Sequence, residues 1–390
     1  MRTPGAPLSG GPAKGAAGTL PTEQPVSVSE LETDVALWAV IFAGGIGSRF
    51  WPLSTPARPK PLLALVSEQT LIEETVGRLQ PTIPPERVLI LTSQDIAPAI
   101  RSVTRDVPDE NVLVEPRPLG TAAALAWGAQ EVSRRAGPSA MIVALHADIA
   151  VDFAEEYRRT LRRAAALAAR ERAIVSISIR ATRAETGFGY VLPGESLDAD
   201  YPFDRGGAAL ARRYVEKPSE ADATALIAEG ARWHGGILLG AAETFLAELA
   251  TCTPEVHEGF GALAAGDLEG FISQVKNTSL ERGLLERSRR LLVVQGEFGW
   301  DDVGTWSSLR RARDLDDRGN GAIGEAHFVD ADANVVHSER GRVVIYGLSK
   351  MLVVTLRGLT FVTTLERAAD LKPLLDALPG SMRIHPGGTP

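Results

Sequence analysis

Cysteine is nearly absent from this chain: Cys252 stands alone among 390 residues, which excludes a disulfide framework and any thiolate zinc site. The six histidines are scattered singly, so no multi-histidine metal cage is expected either. Basic side chains are outnumbered, 41 against 49 acidic, for a net charge of −8. That balance argues against a nucleic-acid partner, which requires a basic face to release counterions from phosphates. Long apolar runs are missing too. The run from Val35 to Ile46 falls short of the ~20 residues that cross a bilayer and contains Gly44 and Gly45. The run from Val353 to Leu365 is broken by Arg357 and Gly358. No membrane segment is expected, and the N-terminal stretch lacks the continuous apolar core of a secretory leader. Together with the lone cysteine, this points to a cytoplasmic protein.

Apolar residues make up 44% and charged ones 23%, as in ordinary globular domains. The length suggests one large domain with an appendage, or two domains. Residues 1–33 are rich in Gly, Pro, Ala and Ser and read as a disordered extension or an over-long start. From there to residue 313, strand-length apolar stretches alternate with helical patterns, the rhythm of a mostly parallel sheet covered by helices. Strands are expected at Leu37–Phe42, Arg87–Leu91, Asn111–Val114, Ala140–Leu145 and Ala173–Ile179, and helices at Thr70–Leu79, Thr121–Arg135 and Phe153–Arg170. Residues 314–390 change character and read as a small β-rich domain. Its expected strands are Asn334–Ser338, Arg342–Tyr346, Met351–Thr355 and Leu359–Thr364, with a closing helix Ala368–Leu378 and no convincing repeat period.

The segment Trp38-Ala-Val-Ile-Phe-Ala-Gly-Gly-Ile-Gly-Ser-Arg-Phe-Trp-Pro-Leu-Ser54, continuing to Arg58-Pro-Lys-Pro61, carries the most chemistry. A buried strand empties into a loop with Gly44, Gly45 and Gly47, where missing side chains let backbone N–H groups approach an anion. Arg49 and Lys60 add the cations that a polyphosphate requires. No Gly-Lys-Ser/Thr follows, so this is no Walker loop, and position 50 lacks the third glycine of a dinucleotide fingerprint. A plain strand-to-helix turn would account for the glycines alone.

The whole string resembles the signature of nucleotidyltransferases that make nucleotide sugars from an NTP and a sugar 1-phosphate. Its Phe-Trp-Pro-Leu-Ser continuation is similar to the mannose-1-phosphate guanylyltransferase branch. The resemblance covers most of the chain from about residue 36. It implies a Rossmann-like α/β/α sandwich with a mostly parallel mixed sheet, with residues 34–313 as the catalytic domain. Ala43, Gly44, Gly45, Gly47 and Ser48 would then bind nucleotide, with Arg49 and Lys60 on its triphosphate. GTP and mannose 1-phosphate are the implied substrates and Mg²⁺ the implied cofactor. The tail would pack on its own catalytic domain or on a neighbouring subunit, a homodimer being one such assembly.

Further motifs fit the same resemblance. Asp148, after the strand Ala140–Leu145 in Leu-His-Ala-Asp, stands where the family has a metal-binding aspartate, and ligands of parallel sheets bind at such strand ends. His146 is set aside as a ligand, because Mg²⁺ prefers oxygen. The run Phe298-Gly-Trp-Asp-Asp-Val-Gly-Thr-Trp306 resembles the motif of the second metal ligand, which falls on Asp302; an Asp-capped turn is the alternative. In Tyr214-Val-Glu-Lys-Pro218, the resemblance assigns sugar hydroxyls to Glu216 and the sugar phosphate to Lys217. It assigns a backbone sugar contact to Gly189. His234 replaces the asparagine that helps recognise the sugar, and Glu281 replaces an aspartate in a segment that otherwise reads as an amphipathic helix. Both substitutions leave the sugar's identity open.

The base is expected near Glu115, Gly120 and Thr121. Thymidylyltransferases carry glutamine five residues before a base-contacting glycine, and here Glu115 stands five before Gly120. A carboxylate accepts from both N1–H and the exocyclic amine of guanine, a donor pair absent from thymine and uracil. Two other readings stay open: a nucleotidyltransferase for another hexose 1-phosphate or NTP, and a non-catalytic regulatory protein that binds nucleotide sugar.

Overall fold

The computed structural model describes residues 36–45, 48–55, 58–199, 201–306, 308–309 and 315–383; residues 1–33 and the 313/314 boundary lie outside them. The strands of the larger part are β1 (Leu37–Phe42), β2 (Val88–Ser93), β3 (Val112–Glu115), β4 (Met141–His146), β5 (Ala150–Val151), β6 (Val175–Ile179), β7 (Gly189–Ser196), β8 (Ala208–Glu216), β9 (Arg232–Ala241), β10 (Leu292–Gly296) and β11 (Trp300–Asp301). Nine of them form one sheet in the order β3-β2-β1-β4-β9-β6-β10-β8-β7, and β5 pairs with β11. The β3-β2-β1-β4 half is parallel throughout. Strand β9 inserts antiparallel between β4 and β6, and β7 also pairs with β9 at Tyr190–Trp233, so the sheet curls at that end.

Both faces of β1 are buried. Leu37, Ala39 and Ile41 enter one core and Trp38, Val40 and Phe42 the other, which is why the strand reads as an unbroken apolar run. Helices Thr121–Ala136 and Ala154–Glu171 cover the two faces. The helix Leu71–Leu79 begins with a capping box, in which Thr70 accepts from the Glu73 N–H and Glu73 accepts from the Thr70 N–H.

The C-terminal strands β12 (Gly321–Val329), β13 (Val335–Tyr346), β14 (Met351–Leu356) and β15 (Leu359–Thr364) form a second sheet. Pairs β12–β13 and β13–β14 are parallel and β14–β15 is a hairpin. Parallel neighbours joined by short turns make successive rungs of a coil, in the register Gly321–Val335–Leu352. The corners stack through asparagines: the buried Asn334 amide donates to Asn320 Oδ1 at 2.8 Å, and Asn334 Oδ1 accepts from the Met351 N–H at 2.9 Å. Two expectations are corrected here. The strands expected at Asn334–Ser338 and Arg342–Tyr346 are one continuous strand, which passes through Gly341 at φ 81°. The expected closing helix is a 3-10 turn, Arg367–Ala369, and a short helix, Lys372–Ala377, separated by extended Asp370. Among the described residues no helix is long and apolar enough to cross a membrane.

Candidate active site

Beyond the carboxyl ends of β1 and β4 lies a cleft of about 470 Å³, the place and size expected of a small-molecule site in a parallel sheet. Its phosphate end is built by the loop after β1. Gly44 and Gly45 are exposed, and open space surrounds the position of a Cβ on either. Ala43, directly after β1, is fully buried. Its N–H already donates to Leu91 O at 2.8 Å and its carbonyl accepts from Thr92 Oγ1 at 3.1 Å, so it offers no free N–H to a phosphate. Gly47 lies outside the described residues, and Ser48 opens the turn Ser48–Phe50. Arg49 is exposed and lines the cleft.

Lys60 is buried, and its ammonium makes three hydrogen bonds to the candidate metal ligands. Its Nζ lies 2.9 Å from Asp148 Oδ2, 3.2 Å from Asp148 O and 3.0 Å from Asp302 O. Burial would raise the Asp148 pKa, but the Lys60 ammonium and His146 outweigh it and hold the carboxyl below its ordinary value. Asp302 goes the other way, pushed up to about 6 by burial and then by the neighbouring Asp301 charge. The turn that presents it is strained: fully buried Val303 sits at φ 44°, costly for a β-branched residue. A Cβ on Gly304 would stand 2.1 Å from Asp302 Oδ2.

These residues suit a divalent cation. Among the described residues no group of three or more His, Cys, Asp or Glu side chains could hold a metal ion. Mg²⁺, however, needs only one or two carboxylates when phosphates and water complete its shell. An ammonium already seated between the Asp148 carboxylate and the Asp302 carbonyl marks the spot as one that attracts positive charge.

Residues of β7, β8 and β9 also line the cleft. Lys217 follows β8 at φ 49°, half-exposed, with Nζ 3.0 Å from Glu216 Oε1. Burial and the charge of Glu281 raise the Glu216 pKa, and the Tyr214 hydroxyl donates to Glu216 Oε2 at 3.1 Å. Only glycine fits at position 189, because a Cβ there would meet Tyr214 Oη at 1.9 Å and Glu216 Oε2 at 2.8 Å.

His234 is buried, with Nδ1 2.9 Å from Ser176 Oγ, and burial pushes its pKa down to about 4. It is therefore neutral at pH 7. An unfolded histidine titrates near ~6.5, so between about 6.5 and 4 the unfolded state binds the extra proton and stability falls as pH falls. At pH 5 this single group should lower stability by about 2 kcal/mol. Denaturant titrations at pH 7 and 5 should show that loss in the wild type and its disappearance in His234→Asn. An unchanged pH dependence in the variant would remove His234 as the cause.

Glu281 opens a π-helical turn, Glu281–Leu285, in place of the longer amphipathic helix read from the sequence. It lies 3.8 Å from His146 Nε2. Despite burial, His146 holds Glu281 down to about 2, and Glu281 in turn raises His146. His146, set aside as a metal ligand in the sequence, ends β4 and lines the cleft together with Asp148 of the following turn.

Thr121 lines the cleft, and its Oγ1 accepts from the Leu280 N–H at 2.9 Å. Gly120 caps the helix at φ 83°, pressed so closely on Thr278 that a Cβ would stand 2.3 Å from its carbonyl oxygen. Glu115 ends β3, half-buried, and accepts a long 3.4 Å hydrogen bond from the Leu119 N–H; burial raises its pKa. It stands outside the cleft lining, two strands from β1, which is about 10 Å at the usual strand spacing.

The family described as nucleotidyl transferase matches residues 38–318. A mannose-1-phosphate guanylyltransferase of Sinorhizobium fredii is 29% identical over 87% of this chain and 67% of its own length. The alginate biosynthesis protein AlgA of Pseudomonas putida is 30% identical over 87% of this chain and 71% of its own length. A solved structure from Thermus thermophilus, called mannose-1-phosphate geranyltransferase, superposes with a TM-score of 0.80 at 32% identity, covering 87% of this chain and 98% of that one.

Proposed function

This chain belongs to the nucleotidyl transferase family, and we propose that it transfers the guanylyl group of GTP to mannose 1-phosphate, giving GDP-mannose and pyrophosphate. The observation that carries this reading is the arrangement of one cleft. Arg49, Lys60, Asp148, Asp302, Glu216 and Lys217 all line it, with Lys60 on the two aspartates and Lys217 on Glu216, two cationic centres for two phosphorylated substrates.

Gly44 and Gly45 let backbone approach the triphosphate, and Arg49 and Lys60 neutralise it. Glu115, at the end of β3, accepts from the guanine edge. Glu216 accepts from sugar hydroxyls, and Lys217 holds the sugar phosphate with an oxygen directed at the α-phosphorus. That phosphate is already ionised at neutral pH, its second pKa being near ~6, so no protein base is needed to activate it. The oxygen attacks in line, a P–O bond forms, and pyrophosphate leaves with the electrons of the broken bond. Catalysis is positioning plus neutralisation of transition-state charge. A divalent cation held by Asp148 and Asp302, Mg²⁺ by their oxygen chemistry, would supply further neutralisation on the phosphate oxygens. A cytoplasmic setting suits a reaction that consumes GTP.

Pyrophosphate release across a grid of NTPs and hexose 1-phosphates, with Mg²⁺ present, tests this. GTP with mannose 1-phosphate should give the highest kcat/KM. If dTTP with glucose 1-phosphate did so, the substrate assignment would be wrong and the reaction class would stand. Bound nucleotide sugar with no turnover for any pair would support the regulatory reading.

A further inference from the structure

The C-terminal coil shares a core with both phosphate-handling loops. One buried cluster unites Phe50, Trp51 and Leu53 from the loop after β1 with Val303, Trp306 and Leu309 from the Asp302 turn. The same cluster takes Val335, Leu352, Val354 and Phe361 from the coil. Two ring contacts tie the three parts together: Phe50 meets Trp306 edge-on at 5.3 Å, and Trp51 meets Phe361 edge-on at 5.2 Å. Arg58, two residues before Lys60, pairs with Glu339 of β13. The family match ends at residue 318, so it covers none of the coil strands.

Arg49 immediately precedes the anchors Phe50 and Trp51, and Asp302 immediately precedes the strained, fully buried Val303. A chain cannot shift one of these anchors without shifting the group beside it. Exposed Arg49 has no ion pair among the described residues to hold it, and open space surrounds Gly44 and Gly45. The described part of that loop is anchored by its buried side chains Phe50, Trp51 and Leu53. We propose that the β13–β15 face of the coil is a positioning element for the nucleotide half of the site. On this account Phe361, through Trp51, and Glu339, through Arg58, set Arg49, Lys60 and the Asp302 turn in place.

The proposal rests on the functional reading above, and its test uses full-length protein with the substrate pair that the wild type turns over best. Phe361→Ala should lower kcat about 10- to 100-fold and raise the KM for the NTP several-fold, while the KM for the sugar 1-phosphate changes less than twofold. Phe361→Leu, which restores bulk, should recover most of the loss. Val362→Ala, at an exposed position of the same strand, should match the wild type. Glu339→Gln, a partly exposed change that does not endanger folding, should raise the NTP KM at least threefold with the sugar KM unchanged. It decides the question if Phe361→Ala fails to fold. A folded Phe361→Ala with wild-type kcat and NTP KM would overturn the proposal, as would equal rises in both KM values or a silent Glu339→Gln. Absence of wild-type turnover with any pair would instead strike the functional reading. The NTP affinities of wild type and variants, measured by calorimetry, would then still decide whether the coil sets that half of the site.

Discussion

Exchanging Lys60 for methionine should lower kcat by roughly 10²- to 10³-fold, the usual cost of removing one preorganised charge from a transition state, while the protein still folds. Methionine keeps an apolar stem beside Phe50, whose ring centre lies 5.8 Å from Nζ, and removes the charge that reaches Asp148 and Asp302. Two consequences can be separated. Triphosphate neutralisation is lost, which acts on turnover. Asp148 also loses the cation that holds its carboxyl low, and its pKa should rise. The Asp148 side chain is 35% exposed, so water takes over part of the broken pairing, and the Tm should fall by only a few degrees. Steady-state kinetics beside calorimetry would check this, and undiminished turnover would remove Lys60 from the mechanism.

The second large effect concerns the two aspartates together. Asp148→Asn and Asp302→Asn should each lower kcat/KM by about 10³-fold, since a bound cation's contribution to transition-state charge is worth several kcal/mol. The double variant should be little worse than the poorer single one. Residues that act as one unit are non-additive, and these two would hold one ion. A double variant whose loss equals the product of the single losses would show that the carboxylates work independently. Asparagine preserves shape at both positions, which matters at Asp302, where the turn through Val303 is strained and Gly304 is pressed against the side chain.

How much of this was readable without coordinates differs by element. β1 and β15 match their expected bounds, and β2, β3, β4 and the helices over 71–79, 121–136 and 154–171 differ only by a few residues at their ends. Double-sided burial writes long apolar runs in β1, β2 and β4, and caps and periodicity mark the helices. The antiparallel strands β7 and β8 are harder to see. β7 is exposed towards its far end and β8 at Leu210, Arg212 and Arg213 in its middle, and Pro193 and Gly194 interrupt the pattern of β7 where its register with β8 shifts. β12 is mostly exposed and bends at Gly324, so its residues read as loop.

The site divides in the same way. Asp148, Lys217 and Asp302 stand out in the sequence because each sits in a short motif with its own local geometry, and all three line the cleft. Three features do not stand out there: the embrace of Lys60 by both aspartates, the pairing of His146 with Glu281, and the shared core beneath Trp51. Each joins segments distant in sequence through packing that no local pattern encodes. Nor does the place of Ala43 beside the glycines hint that neighbouring strands occupy its backbone groups.

The most direct measurement is the stereochemical course at the α-phosphorus, using GTP made chiral there with sulfur and oxygen isotopes. A single in-line attack by the sugar phosphate, with the protein only positioning and neutralising, predicts inversion in the nucleotide sugar. Retention would mean two successive displacements through a guanylylated side chain, and would contradict the account.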